Sequence, residues 1–198
     1  MSGVPASAFA PRTLEGEHVR LEPLGPEHFE ALASVSLGHG LFRYYPFVLD
    51  DREALRAFVE SRRSASREGT ALSFATIDRA SGRVAGSTSF LAIDLAHRRA
   101  EIGSTWLAPP WQRTRTNTEA KYLMLRHAFE RAGLQRIELK TDARNLRSRA
   151  AIARIGATQE GIFRRHMVMP DGATRDTVWF SVIAEEWPLV RKRLEERL

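Results

Sequence analysis

Cysteine is absent from the chain. That excludes disulfides, thiolate metal sites and a cysteine nucleophile. Lysine is scarce: Lys121, Lys140 and Lys192 are the only ones, so nearly all the cationic charge is arginine. No apolar run approaches the roughly 20 residues that a membrane-spanning helix needs. Met1 to Pro11 has neither a charged leader nor an apolar core, so it does not read as a secretory signal. It reads as a flexible N-terminal tail over residues 1–11, followed by a single domain over residues 12–198. The expected compartment is the cytoplasm, with no membrane partner. The histidines at 18, 28, 39, 97 and 127 are dispersed without ligand spacing, and no metal is expected. A Walker loop, a G-x-S-x-G elbow and a dinucleotide fingerprint are all missing.

What remains is globular: 198 residues, 43% hydrophobic and 27% charged, enough for one domain around a sizeable core. A net charge of +6 favours an anionic partner, whether nucleic acid, a phosphorylated cofactor or an acidic protein surface. Arg62, Arg63 and Arg67 read as the solvated face of a helix. Aromatic and basic residues are not interleaved as single-strand binding requires, so nucleic acid is not expected.

Alternation predicts a strand over His18–Leu24, and helical spacing follows over Pro26–Leu37, with Pro26 suited to a first turn. The aromatic stretch Leu41–Leu49 is broken by Pro46 and is no simple helix. Asp50 or Asp51 caps a helix to about Ser66. Strands are predicted over Ala71–Ile77, Arg83–Ile93 and Arg99–Ala108. The last alternates Ala100, Ile102, Ser104 and Trp106 on one side against Glu101, Gly103, Thr105 and Leu107. Pro109 and Pro110 stop it. A helix over Asn117–Ala132 ends at Gly133, a strand covers Leu134–Thr141, and a second helix runs Asn145–Ile155 to Gly156. Strands Thr158–Met169 and Arg175–Ala184 flank Pro170-Asp171-Gly172, and Glu186–Leu198 is an amphipathic helix.

The stretch Trp106 to Glu119 is the most informative: a strand, a polar loop, then a helix start. Thr116 to Glu119 fits a capping box, with Thr116 as the cap and Glu119 reaching back. The first N–H groups of such a helix have no intrahelical partner and carry partial positive charge. With Gln112, Arg113 and Arg115 before them, they form a candidate anion site suited to a diphosphate, or simply a well-capped helix.

In this region the chain resembles the GNAT N-acetyltransferase superfamily, and within it the branch of ribosomal-protein N-terminal acetyltransferases. The resemblance covers about Leu14 to Trp187. It is carried by Ala100-Glu101-Ile102-Gly103, Trp106-Leu107-Ala108-Pro109, Gln112 to Ala120, Asp142 to Ser148, Ile155-Gly156-Ala157 and Glu160-Gly161, in that order. It implies a mixed, mostly antiparallel central sheet flanked by helices, in a single α/β domain with a splay between two central strands. It also implies acetyl-CoA as co-substrate and acetyl transfer to a primary amine, either a protein N-terminus or a small molecule. The amine would attack the thioester directly in a ternary complex.

By the same resemblance, the pantetheine amides meet backbone near Trp106 and Leu107, and Asn145 contacts the same arm. The diphosphate lies on Arg113, Thr114, Arg115, Thr116, Asn117 and Thr118, after Gln112. The family's loop glycines are replaced here by Arg115 and Asn117. A side chain at 115 must then turn away or bind phosphate as a guanidinium, and the latter is expected of Arg115 together with Arg113. Many members place a Tyr further along the second helix, and this helix has none. Ser148 is the available hydroxyl for the leaving sulfur. Glu101 and His166 are the candidate bases, against a plain ion pair of Glu101 with Arg98 or Arg99. Tyr44, Tyr45 and Phe47 are expected to line the acceptor groove, and Arg164, Arg165 and Arg175 to favour an acidic acceptor. The altered loop and the missing Tyr also fit a non-catalytic acyl-CoA-binding or regulatory protein on this scaffold. A homodimer through the last strands or the final helix is left open.

Overall fold

The computed structural model describes residues 5–198. One eight-stranded sheet runs in the order β1-β2-β3-β4-β5-β6-β8-β7. Its strands are β1 (Leu14–Glu15), β2 (Val19–Pro23), β3 (Leu72–Asp78), β4 (Val84–Asp94), β5 (Arg99–Leu107), β6 (Arg136–Asp142), β7 (Thr158–Val168) and β8 (Thr174–Ile183). The helices are α1 (Phe29–Ser36), α2 (Arg52–Arg67), α3 (Arg115–Arg126), α4 (Leu146–Arg154) and α5 (Trp187–Glu195). All pairings are antiparallel except β5 with β6. That parallel pair is joined through α3, the crossover a parallel connection requires.

Two cores fill the two faces of the sheet. Phe90, Ile102, Leu123, Ile137 and Val190 belong to the one under α3, α4 and α5. Leu32, Leu55, Phe58, Ala85 and Trp106 belong to the other, under α1 and α2.

The β5–β6 pairing lasts only three rungs, Arg99↔Arg136 to Glu101↔Glu138, and then the strands part. Across β5, the register with β4 slips between Ser87↔Trp106 and Ser89↔Gly103, which puts one extra residue on β5. Ser104 takes up the slip at φ +48°, the signature of a bulge. The strict alternation expected from Ala100 to Trp106 therefore fails. Ile102 faces one core and Trp106 the other. Gly86 permits the close approach: a Cβ there would lie 2.1 Å from the Trp106 carbonyl oxygen.

Two further expectations change. Positions 1–4 of the expected tail lie outside the described residues, but Ala6–Phe9 forms a 3-10 turn. Phe9 is buried edge-on against Phe90 and His127. The first crossover helix begins at Arg115, capped by Thr114, whose hydroxyl accepts from Thr116 N–H. Glu119 does not close a capping box. Its carboxylate leaves the helix and accepts from the N–H groups of Glu17, His18 and Val19 at 2.8, 2.7 and 2.5 Å. Past Arg126 the helix relaxes into a π turn, His127–Arg131, before Gly133 at φ +66° turns the chain.

Candidate active site

Parting β5 from β6 opens a cavity of about 630 Å³. Its floor is the bulged half of β5 with Leu139 to Thr141 of β6. One wall is α3, through Asn117 and Lys121, and the other is α4, through Asn145, Ser148 and Ile152. The aromatic loop after α1 closes the far side with Tyr44, Tyr45 and Phe47.

Of the expected CoA contacts, Trp106, Leu107, Gln112, Arg113, Asn117, Asn145 and Ser148 line this cavity. Gln112 is held at both ends: its amide donates to the Leu107 carbonyl at 2.7 Å and its oxygen accepts from Arg147 at 2.8 Å. Arg113 carries the positive φ of the loop, +62°, so the left-handed turn falls there and not at Arg115 or Asn117. Thr114, Thr116 and Thr118 lie in the cap and the buried first turn and do not line the cavity. Arg115 is the first residue of α3, and its guanidinium reaches His18 Nε2 at 3.3 Å. That contact carries it away from the cavity, where the sequence placed it beside Arg113. Asn145 caps α4 by accepting from Ser148 N–H at 3.0 Å.

Glu101 is buried, and its partner is neither Arg98 nor Arg99. Lys140 Nζ sits 2.7 Å from Oε2, while Arg98 donates to the Gly133 carbonyl and Arg99 reaches Asp94 and Glu138. Lys140 also lies over the Trp179 ring, 5.0 Å from its centre. His166 is on β7 and is not part of the cavity lining. Its Nδ1 lies 3.1 Å from Thr177 Oγ1 and its ring packs on Phe163 and Trp179. Desolvation, then the charges of Lys140 and Arg175, lowers its pKa.

The Tyr45 hydroxyl donates to the Thr105 carbonyl, and burial pushes its phenol well above the usual range. Arg175 is buried as well, donating to the Tyr44 carbonyl and to Thr177 Oγ1, both at 3.1 Å. It ties the aromatic loop to β8 and lines the cavity.

Lys121 was not singled out by its sequence pattern. Its Nζ donates to Thr105 Oγ1 at 2.6 Å and Thr88 Oγ1 at 3.1 Å, and it is buried. Burial alone pulls its pKa down to about 7. The available signal was its place four residues after Asn117 and three before the buried Met124, on the inward stripe of α3.

Comparison with known proteins agrees with this geometry. The family model described as "Acetyltransferase (GNAT) domain" matches residues 18–158. The chain belongs to the GNAT acetyltransferase family. A GCN5-related N-acetyltransferase from Brucella melitensis is similar in structure, with TM-score 0.86 and 36% identity over 94% of this chain and 85% of that one. Mycobacterium smegmatis RimJ, solved in complex with CoA-disulfide, has TM-score 0.79 and 26% identity, covering 94% of this chain and 91% of that chain. The curated "Putative ribosomal N-acetyltransferase YdaF" of Bacillus subtilis (strain 168) is 33% identical over 91 residues, 46% of this GNAT chain. The match spans 49% of that relative's length. Among the described residues, no cluster of side chains is arranged to hold a metal and no helix is long and apolar enough to cross a membrane.

Proposed function

We propose that this protein is an acetyl-CoA-dependent N-acetyltransferase acting on a primary amine. The observation that carries this reading is the cavity itself. It opens where β5 and β6 part, leads past the N-terminus of α3, and is flanked by Arg113 and Arg147 at that end. Free N–H groups at a helix start and two guanidiniums suit a diphosphate. The parted strands leave backbone N–H and C=O groups near Trp106 and Leu107 for the amides of a pantetheine arm.

In this reading Glu101, held by Lys140, takes the proton from the acceptor nitrogen, directly or through a water. His166, behind Trp179, is the second candidate. Backbone N–H near Trp106 or Leu107 polarises the thioester carbonyl. Ser148 hydrogen-bonds the departing sulfur. Tyr44, Tyr45 and Phe47 form the acceptor side. The chain offers no cysteine for an acyl-enzyme, so the amine attacks directly in a ternary complex. The Bacillus subtilis relative is named as a ribosomal N-acetyltransferase, which makes a ribosomal amine, with a protein α-amine in the panel, the first acceptor to try.

The test is calorimetric titration of acetyl-CoA, followed by thiol release with peptide α-amines, polyamines, aminoglycosides and amino acids. One-site binding near micromolar with turnover of one class supports the reading. Binding without turnover across the panel favours a non-catalytic acyl-CoA sensor. No binding up to about millimolar overturns both.

A further inference from the structure

We propose that Lys121 is the counter-charge for the thiolate sulfur of CoA, the group that acetyl transfer leaves behind. This rests on the reading that the cavity takes acetyl-CoA.

The cations lining the cavity are not equivalent. Lys140 is paired with Glu101, and the Glu101 charge also reaches Arg62 and Arg175, which hold the Ser104 hydroxyl and the Tyr44 carbonyl. Lys121 meets only neutral atoms and, among the described residues, has no acid acting on it even at that range. On β4 and β5 it donates to the Thr88 and Thr105 hydroxyls, and Thr88 in turn contacts the Met124 sulfur. Among the described residues, the α4 wall presents Ser148 and no acid, and Glu101 is the only carboxylate lining the cavity. Among the described residues, no carboxylate lies within ion-pair distance of Lys121 Nζ. A buried ammonium without a counter-ion is costly, which is why burial alone lowers its pKa. An ammonium has three N–H donors, and the two threonines use two of them.

Acetyl transfer creates the missing anion. The thioester is neutral. As the C–N bond forms, the C–S bond breaks and its electron pair goes to sulfur, while the proton shed by the acceptor nitrogen passes through Glu101 to solvent. The negative charge thus appears only along the reaction, and a fixed cation beside it stabilises the transition state more than the ground state. The adjacent anion offsets the burial that brings Lys121 to about 7, so the ammonium form is favoured beside the thiolate, which takes a solvent proton after release. This gives an α4 helix without a Tyr another means of supporting the leaving group, opposite Ser148.

The experiment needs no acceptor. With no cysteine in the chain, the thiol of bound CoA is the only thiol present. Its ionisation is followed by the ultraviolet absorbance of the thiolate, with desulfo-CoA as the blank. In the wild type the bound thiol should titrate at least one pH unit below free CoA. Lys121→Met should remove that shift, and Lys121→Arg should restore it. Equal desulfo-CoA affinity in the three proteins shows the cavity intact. A wild-type thiol that titrates with free CoA, or a shift unchanged in Lys121→Met, overturns the proposal while leaving CoA binding standing. Failure to bind either CoA or desulfo-CoA overturns the acetyl-CoA reading and this inference with it.

Discussion

Lys140 Nζ lies 2.7 Å from Glu101 Oε2, beside the last rung on which β5 and β6 are still paired. The carboxylate is buried and the ammonium only partly so, with side chains 6% and 27% exposed. The pair therefore stands where the sheet opens, with its acid inward and its base towards solvent. A carboxylate fixed in this way lines the cavity with its orientation held by its neighbour.

Glu101→Gln keeps the shape and removes the proton acceptor. With an identified amine acceptor, kcat should fall about 100-fold or more, while KM for acetyl-CoA changes little. Full kcat in the variant would remove Glu101 from the chemistry and turn attention to His166.

Arg113 and Arg115 separate in space although they are two residues apart. Arg113 lines the cavity, whereas the Arg115 guanidinium lies at His18. Calorimetry should show acetyl-CoA binding weakened about tenfold in Arg113→Ala, consistent with loss of one charge-assisted contact. Arg115→Gly should change it less than threefold. The salt dependence of affinity should drop in the first variant and persist in the second. The reverse pattern would put the phosphates on the outer side of α3.

Local pattern made most of this fold legible. Asp51 caps α2, Asn145 caps α4 and the prolines after β5 end it, each signal lying within a few residues of the element it bounds. What escaped was set by distant partners. Glu119 looked like a capping residue because its spacing from Thr116 was right, but three backbone N–H groups about 100 residues away hold it more strongly. Alternation could not show the Ser104 bulge, since the extra residue is defined by β4. The same bulge sends Thr105 towards Lys121 and Trp106 towards the opposite core. Of the expected cofactor contacts, those on the two helix-start walls converge, while Arg115 leaves because α3 starts earlier than its pattern suggested.

Glu119 is 3% exposed and stitches α3 to the β1–β2 turn. Glu119→Ala strands three donors, that of Val19 buried and those of Glu17 and His18 partly buried. Each hydrogen bond to a charged group is worth about 1.5–3 kcal/mol, with partial recovery through water. Urea denaturation should show a loss of about 3 kcal/mol or more. A Cβ at Gly16 would meet the Glu119 carboxylate at 2.5 Å, so Gly16→Ala should destabilise too. A Glu119→Ala protein as stable as wild type would mean that the turn is held from elsewhere.

His127 sets a pH limit on stability. It is buried beside Phe9 and Phe90, and its Nε2 lies 2.8 Å from the Ala8 carbonyl, which fixes the N-terminal turn. Desolvation, first among the causes, lowers its pKa from the usual 6.5. The unfolded chain therefore binds the proton more readily than the folded one. The His127 contribution is full above about pH 6.5 and is lost as pH falls from there through the folded-state value. Glu160 acts in a lower window: Arg136 holds it at about 2 against 4.5, so its contribution persists above 4.5 and fades only towards 2. Urea midpoints measured from about pH 7.5 down to about pH 5 should fall, and His127→Gln, which keeps a donor for Ala8, should flatten that slope. Protease cleavage near Phe9 should rise over the same range in the wild type alone. An identical slope in the variant would assign the loss to another group.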